Sequence, residues 1–149
     1  MKKYALISIL AIFLVSGLIV SVSAADSYGN NYGGYDSNFI DGLNVSYDLE
    51  QALEDAKLEN KTVMVVFDQD SCGYCDMLKQ DTLSDDSVQD IINRNCIPVI
   101  IDINKDYEIA SQFDVFGTPL IIFLDGDGKE LHRIEGYVTP DEFLSEVHG

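Results

Sequence analysis

The chain of 149 residues has no tryptophan, three prolines, three cysteines and two histidines, and only nine Lys and Arg stand against 26 Asp and Glu. Each scarcity narrows what the protein can be. A formal net charge of −17 repels phosphate backbones, so no nucleic-acid partner is expected. The same charge keeps a protein soluble and favours neutral or basic partners. A structural zinc site needs about four ligands, usually two close Cys or His pairs. Here Cys72 and Cys75 form one pair, and Cys96, His132 and His148 stand apart. No metal site is therefore expected, although two thiols alone leave transient Cu(I) binding as an alternative. Asp125-Gly126-Asp127-Gly128 is too short for a calcium loop and lacks its Glu, so it reads as a turn. There is no internal repeat, and the length suits one domain with additions.

What is present begins with Lys2 and Lys3, an uncharged apolar run over 4–22, and Ser23-Ala24-Ala25. This pattern predicts a signal peptide over residues 1–24, cleaved after Ala24. The run approaches the length that spans a bilayer, so an uncleaved anchor with the lysines inside is the alternative. In both cases the remainder is extracytoplasmic, secreted or membrane-anchored. Residues 25–45, rich in Gly, Tyr, Asn and Ser, read as a flexible tether. Residues 46–149 read as the folded domain.

Within that domain, Leu49, Ala52, Leu53, Ala56 and Leu58 recur at helical spacing, predicting a helix over 48–59. Thr62 to Phe67 is apolar and β-branched, as in a strand buried on both faces. A C-x-x-C helix follows, with Met77 and Leu78 expected in the core. Ser84-Asp85-Asp86 supplies a cap and an acidic first turn for a helix carrying Val88, Ile91 and Ile92. Ile97–Ile103 is a second buried strand, 107–113 a short helix and Leu120–Leu124 a third strand. The Asp-Gly-Asp-Gly turn joins it to a fourth over 130–135. Thr139-Pro140-Asp141-Glu142 is a capping box opening a last helix. Alternating helices and buried strands predict an α/β domain with a parallel pair or triple of strands and an antiparallel hairpin at one edge.

The chemistry centres on Cys72-Gly73-Tyr74-Cys75, placed between a strand and a helix. Two thiols three residues apart in a first helical turn share a face and can close a disulfide, and a helix N-terminus favours a thiolate on the leading cysteine. In that setting Cys72 attacks and Cys75 resolves. A loop this short staples a fold poorly, so a purely structural bridge is not expected. Cys96, ahead of an apolar strand, reads as a small buried hydrophobe.

With Gly117-Thr118-Pro119 just before a strand, the segment from Phe67 to Phe123 resembles the thioredoxin fold, a central mixed β-sheet flanked by helices. Leu49-Glu50-Gln51-Ala52-Leu53 and Asp81-Thr82-Leu83-Ser84-Asp85-Asp86-Ser87-Val88 extend the resemblance. The chain is similar to extracytoplasmic thiol–disulfide oxidoreductases such as the C-terminal domain of DsbD-type reductants. The resemblance implies protein thiols or disulfides as partners, a membrane thiol electron donor, and no cofactor beyond a redox-active disulfide. It implies a cis bond at Thr118-Pro119, with Thr118, Pro119 and Tyr74 in the substrate-binding role. The alternatives are Cu(I) handling or a non-catalytic thioredoxin-like binding module. Three positions depart from the family: Ser71 where Trp is usual, Tyr74 where Pro is usual, and Val66 where a buried acid is usual. Asp68 shares the strand face of Val66 by period-two parity. It either takes over that acid's work on the Cys75 proton or is an exposed residue at the strand end. Asp68, Asp70 and Asp76 surround the cysteines with negative charge, which disfavours a thiolate and tilts the domain towards reduction.

Overall fold

The computed structural model describes residues 40–148. Helix α1, Leu49–Glu59, starts where the Asp48 side chain accepts the Gln51 N–H at 3.0 Å and stops at Asn60, whose φ of 54° leaves the helical region. Ala52 and Ala56, one turn apart, face the sheet. Leu58 does not join them and is 85% exposed. It sits two residues past Ala56, roughly 200° around the helix.

Four strands follow: β1 (Thr62–Asp68), β2 (Cys96–Asp102), β3 (Leu120–Leu124) and β4 (Glu130–Glu135). Their order across the sheet is β2-β1-β3-β4. β1 and β2 are parallel, with Thr62 opposite Cys96 and Asp68 opposite Asp102. β3 runs antiparallel to β1, with Phe67 opposite Leu120, and β4 antiparallel to β3. The antiparallel part of the sheet thus begins one strand earlier than a late hairpin alone would give.

Alternation along β1 divides the core. Val63, Val65 and Phe67 pack with Ala52, Ala56 and Ala110, which brings α1 and α4 (Tyr107–Gln112) to one face. Met64 and Val66 pack with Leu78, Val88, Ile92 and Phe143 on the other. That second face holds α2 (Gly73–Met77), α3 (Asp86–Asn95) and α5 (Pro140–His148). Asp85, not Ser84, caps α3 by accepting the Ser87 and Val88 N–H groups. Thr139 and Glu142 form the expected reciprocal box at α5, and the Thr139 N–H holds the Glu142 carboxyl below its ordinary range.

Packing begins ahead of residue 46. Ile40 and Leu43 are buried in the second cluster. The side chains of Gln89 and Asn93 on α3 donate to the carbonyls of Asp41 and Gly42. Gly42 has φ 90°, a backbone conformation that residues with a Cβ rarely adopt, so a substitution there would be strained. Ser46 then bridges the outer edge of β2: its N–H donates to the Pro98 carbonyl at 2.8 Å and its carbonyl accepts from Ile100 at 3.0 Å. No helix among the described residues is long and apolar enough to cross a membrane. The expected signal or anchor over 1–24, and the tether as far as residue 39, lie outside the described residues.

Candidate active site

Both parallel strands end at one pole of the sheet, and the chemistry-bearing residues gather there. β1 delivers Asp68 and the chain turns through Ser71, whose φ of 63° is left-handed. It then enters α2 with Cys72 as the capping residue. The Cys75 N–H points at the Cys72 sulfur at 3.1 Å. Cys72 and Cys75 are joined as a disulfide, the first at the border of burial and the second inside it. An amide donor aimed at the leading sulfur stabilises it as a thiolate once the bond is cleaved.

The pairing of Leu120 with Phe67 sets the start of β3 against this same pole. The Thr118–Pro119 peptide bond is cis. The Thr118 hydroxyl donates towards the Cys72 sulfur at 3.5 Å, and the Thr118 carbonyl oxygen lies 3.7 Å from that sulfur. A disulfide sulfur carries no hydrogen, so that carbonyl gains a donor only when reduction makes a thiol. Tyr74, between the two cysteines, stands 65% exposed, and Phe116, two residues before Thr118, is 95% exposed. Met77, expected in the core, is 47% exposed, while its neighbour Leu78 is fully buried. One residue is about 100° of helix, so the two cannot share a face.

Asp68 is buried, not an exposed strand end. Its Oδ1 accepts the Gln69 N–H at 2.8 Å and its Oδ2 accepts from Lys79 Nζ at 2.8 Å. A carboxylate oxygen of Asp68 and both sulfurs lie within 4.8 Å of one another. Lys79 follows Cys75 by one helical turn, which puts it on the same helix face. Sequence reasoning passed over that lysine, although its spacing of four residues from Cys75 was a signal for it. Asp76 adds a second, longer contact to it at 3.4 Å.

Three donor atoms this close could in principle hold a cation. The two sulfurs are spent on each other, and the carboxylate is engaged by Lys79. A carboxylate is also a hard third donor, poorly matched to soft Cu(I). Cys96 is far away. It starts β2 at the opposite pole, about 20 Å along the sheet from Asp68 at the usual rise per residue. Its sulfur is 3.2 Å from the Thr62 hydroxyl, and burial pushes its thiol up, against smaller lowering by Thr62 and Lys61. His132 is exposed on β4, 3.1 Å from Glu146.

A thioredoxin-like domain profile matches residues 49–148. The chain belongs to the thioredoxin-like family. Among its relatives is the thiol:disulfide interchange protein DsbD of Campylobacter jejuni, 29% identical over 147 residues, or 87% of this chain and 25% of DsbD. DsbD of Pseudoalteromonas atlantica is 35% identical over 106 residues, 67% of this chain and 18% of that protein. The chain therefore spans about a quarter or less of these curated relatives. A thioredoxin from Thermus thermophilus superposes with a TM-score of 0.65 at 28% identity, covering 72% of this chain and 85% of the other. The oxidised C-terminal domain of Neisseria meningitidis DsbD matches in fold, with a TM-score of 0.57 at 21% identity, covering 70% of this chain and 97% of that domain. A thioredoxin-like domain with an intact C-x-x-C disulfide is equipped as a thiol–disulfide oxidoreductase, and the disulfide itself is the redox group.

Proposed function

We propose that this domain reduces disulfides of protein substrates outside the cytoplasm. The observation that carries the reading is the Cys72–Cys75 disulfide at the start of α2, flanked by Thr118 and by the buried carboxylate of Asp68. In the reduced domain the Cys72 thiolate attacks a substrate disulfide. A Cys72–substrate bond forms, and the other substrate sulfur leaves and takes a proton. Cys75 then passes its proton to Asp68 and attacks the Cys72 sulfur, releasing the second substrate sulfur, which takes that proton from Asp68. Two electrons have moved, the substrate carries two thiols, and the domain is left as the disulfide. Two electrons from a membrane thiol donor restore it.

Thr118 and Pro119 would offer backbone to an extended substrate segment as a short strand addition. Tyr74 and Phe116 would cover its apolar side chains. The reductant direction is supported by the excess of acid around the cysteines. Asp68 and Asp76 share Lys79, and Asp70 adds to them from the exposed loop. The location is supported by the signal or anchor pattern over 1–24 and by the likeness to proteins named for thiol:disulfide interchange.

Turbidity from insulin reduction in dithiothreitol tests the reading. The wild-type chain should accelerate it, and Cys72→Ser should abolish the acceleration. Cys75→Ser should trap mixed disulfides. No acceleration by the wild type would end the proposal, and a reduction potential near about −120 mV, that of a strong oxidase, would reverse its direction.

A further inference from the structure

We propose that Lys79 is a positioning residue of the exchange site, whose buried ammonium fixes the Asp68 carboxylate beside both sulfurs and offsets its charge, so that the pair sets how readily Cys72 becomes a thiolate. The inference rests on the reading of Cys72 as the attacking sulfur.

A lysine is almost never fully buried without a partner, because an ammonium loses its hydration there. The side chain of Lys79 is 9% exposed and that of Asp68 is 6% exposed, with 2.8 Å between Nζ and Oδ2. The backbone holds the lysine inward. α2 continues into a single π turn, Leu78–Thr82, in which Leu78, Lys79 and Thr82 are all buried. Ser84 Oγ donates to the Lys79 carbonyl at 2.7 Å, and the Leu83 N–H closes on the Leu78 carbonyl at 2.8 Å. π turns are rare and often mark functional positions.

Several charged or titratable groups surround the pair. Asp76 reaches Lys79 from α2, with its own side chain 58% exposed. Tyr47 feels the lysine's charge from the segment ahead of α1. Asp102, opposite Asp68 on β2, is matched by Lys105 at 3.1 Å. Asp70 is exposed on the turn before Cys72. Among these, Asp68 has its oxygen within 4.8 Å of both sulfurs. Unmatched, its charge would oppose a thiolate there, and Lys79 cancels that opposition at its source.

Opposite signs follow for the two partners. Removing Lys79 alone strands a carboxylate beside the sulfurs and should suppress the thiolate. Removing Asp68 alone strands an ammonium and should promote it. A merely structural ion pair predicts no such split, since losing either half would loosen the same contact.

The test uses the reduced full chain and needs no protein substrate. Thiolate absorbance near 240 nm against pH, and the rate of iodoacetamide capture at pH 7, are read for each variant. Lys79→Met should slow capture by about tenfold or more, since a charge within about 4–6 Å moves an ionisation by at least that factor. Asp68→Asn should speed capture, Lys79→Arg should stay near wild type, and Asp68→Asn with Lys79→Met should return to within a few-fold of it. If Lys79→Met alone fails to fold, the double variant against Asp68→Asn decides, because adding the lysine change must slow capture again. Shifts of the same sign from Lys79→Met and Asp68→Asn, or no shift from Lys79→Met, would overturn the proposal. If the wild type does not reduce insulin yet the split persists, the exchange reading fails and the electrostatic role of Lys79 stands.

Discussion

The two ends of β1 hold cysteine in opposite conditions. At the C-terminal end, Cys72 and Cys75 meet an amide donor, the Thr118 hydroxyl, a matched buried ion pair and a partly open surface. At the N-terminal end, Cys96 is closed in, with Thr62 as its hydrogen-bond partner and its thiol pushed up by burial. The same side chain is reactive at one pole and packing material at the other. The difference lies in how each pole treats the charged form of sulfur. One supplies donors and counter-charge at the start of a helix, and the other supplies desolvation.

Alkylation should show this contrast most strongly. With the protein reduced at pH 7, Cys72 should react faster than Cys96 by about a hundredfold or more, as mass spectrometry of the alkylated chain would show. Comparable rates would erase the distinction between the poles. A smaller effect should separate chemistry from docking at the redox pole itself. Phe116→Ala should raise KM for a protein disulfide several-fold while leaving reaction with a small aromatic disulfide unchanged, because Phe116 is exposed and makes no part of the disulfide's own environment. Equal losses on both substrates would place Phe116 in the chemistry.

The smallest expected effect lies away from both cysteines, in the box that starts α5. Glu142 is held below its ordinary range by the Thr139 N–H and hydroxyl. Its folded value is depressed, so its contribution to stability is present above the usual glutamate value of about 4.3. It is lost as the pH falls through the folded value. Thermal melts of Glu142→Gln should therefore lose a slight acid dependence in that window, and an unchanged acid profile would remove the box from the stability of either pole.

Much of this was legible in the sequence because it is local. The β-branched run of β1, the C-x-x-C, the Thr-Pro ahead of β3, the Asp-Gly turn and the box at Thr139 each carry their signal within a few residues. What escaped depends on contacts between distant segments. Lys79 and Asp68 are eleven residues apart and meet only because α2 continues into a π turn. Ile40 and Leu43 pack at the end of a Gly- and Tyr-rich stretch whose composition hides them. Met77 and Leu58 are apolar yet face outwards, since helical phase and not hydrophobicity selects the inward side. The sense of β3 was open because an apolar run has no direction of its own, and pairing with β1 decides it.

The border of the sheet at β2 has a consequence for how the molecule lives among other chains. An open strand edge captures extended segments of other chains by backbone pairing. Pro98 removes one donor from β2, and Ser46 occupies the pairing groups on either side of Val99 with the domain's own backbone. A visiting chain thus finds little purchase along that border of the sheet.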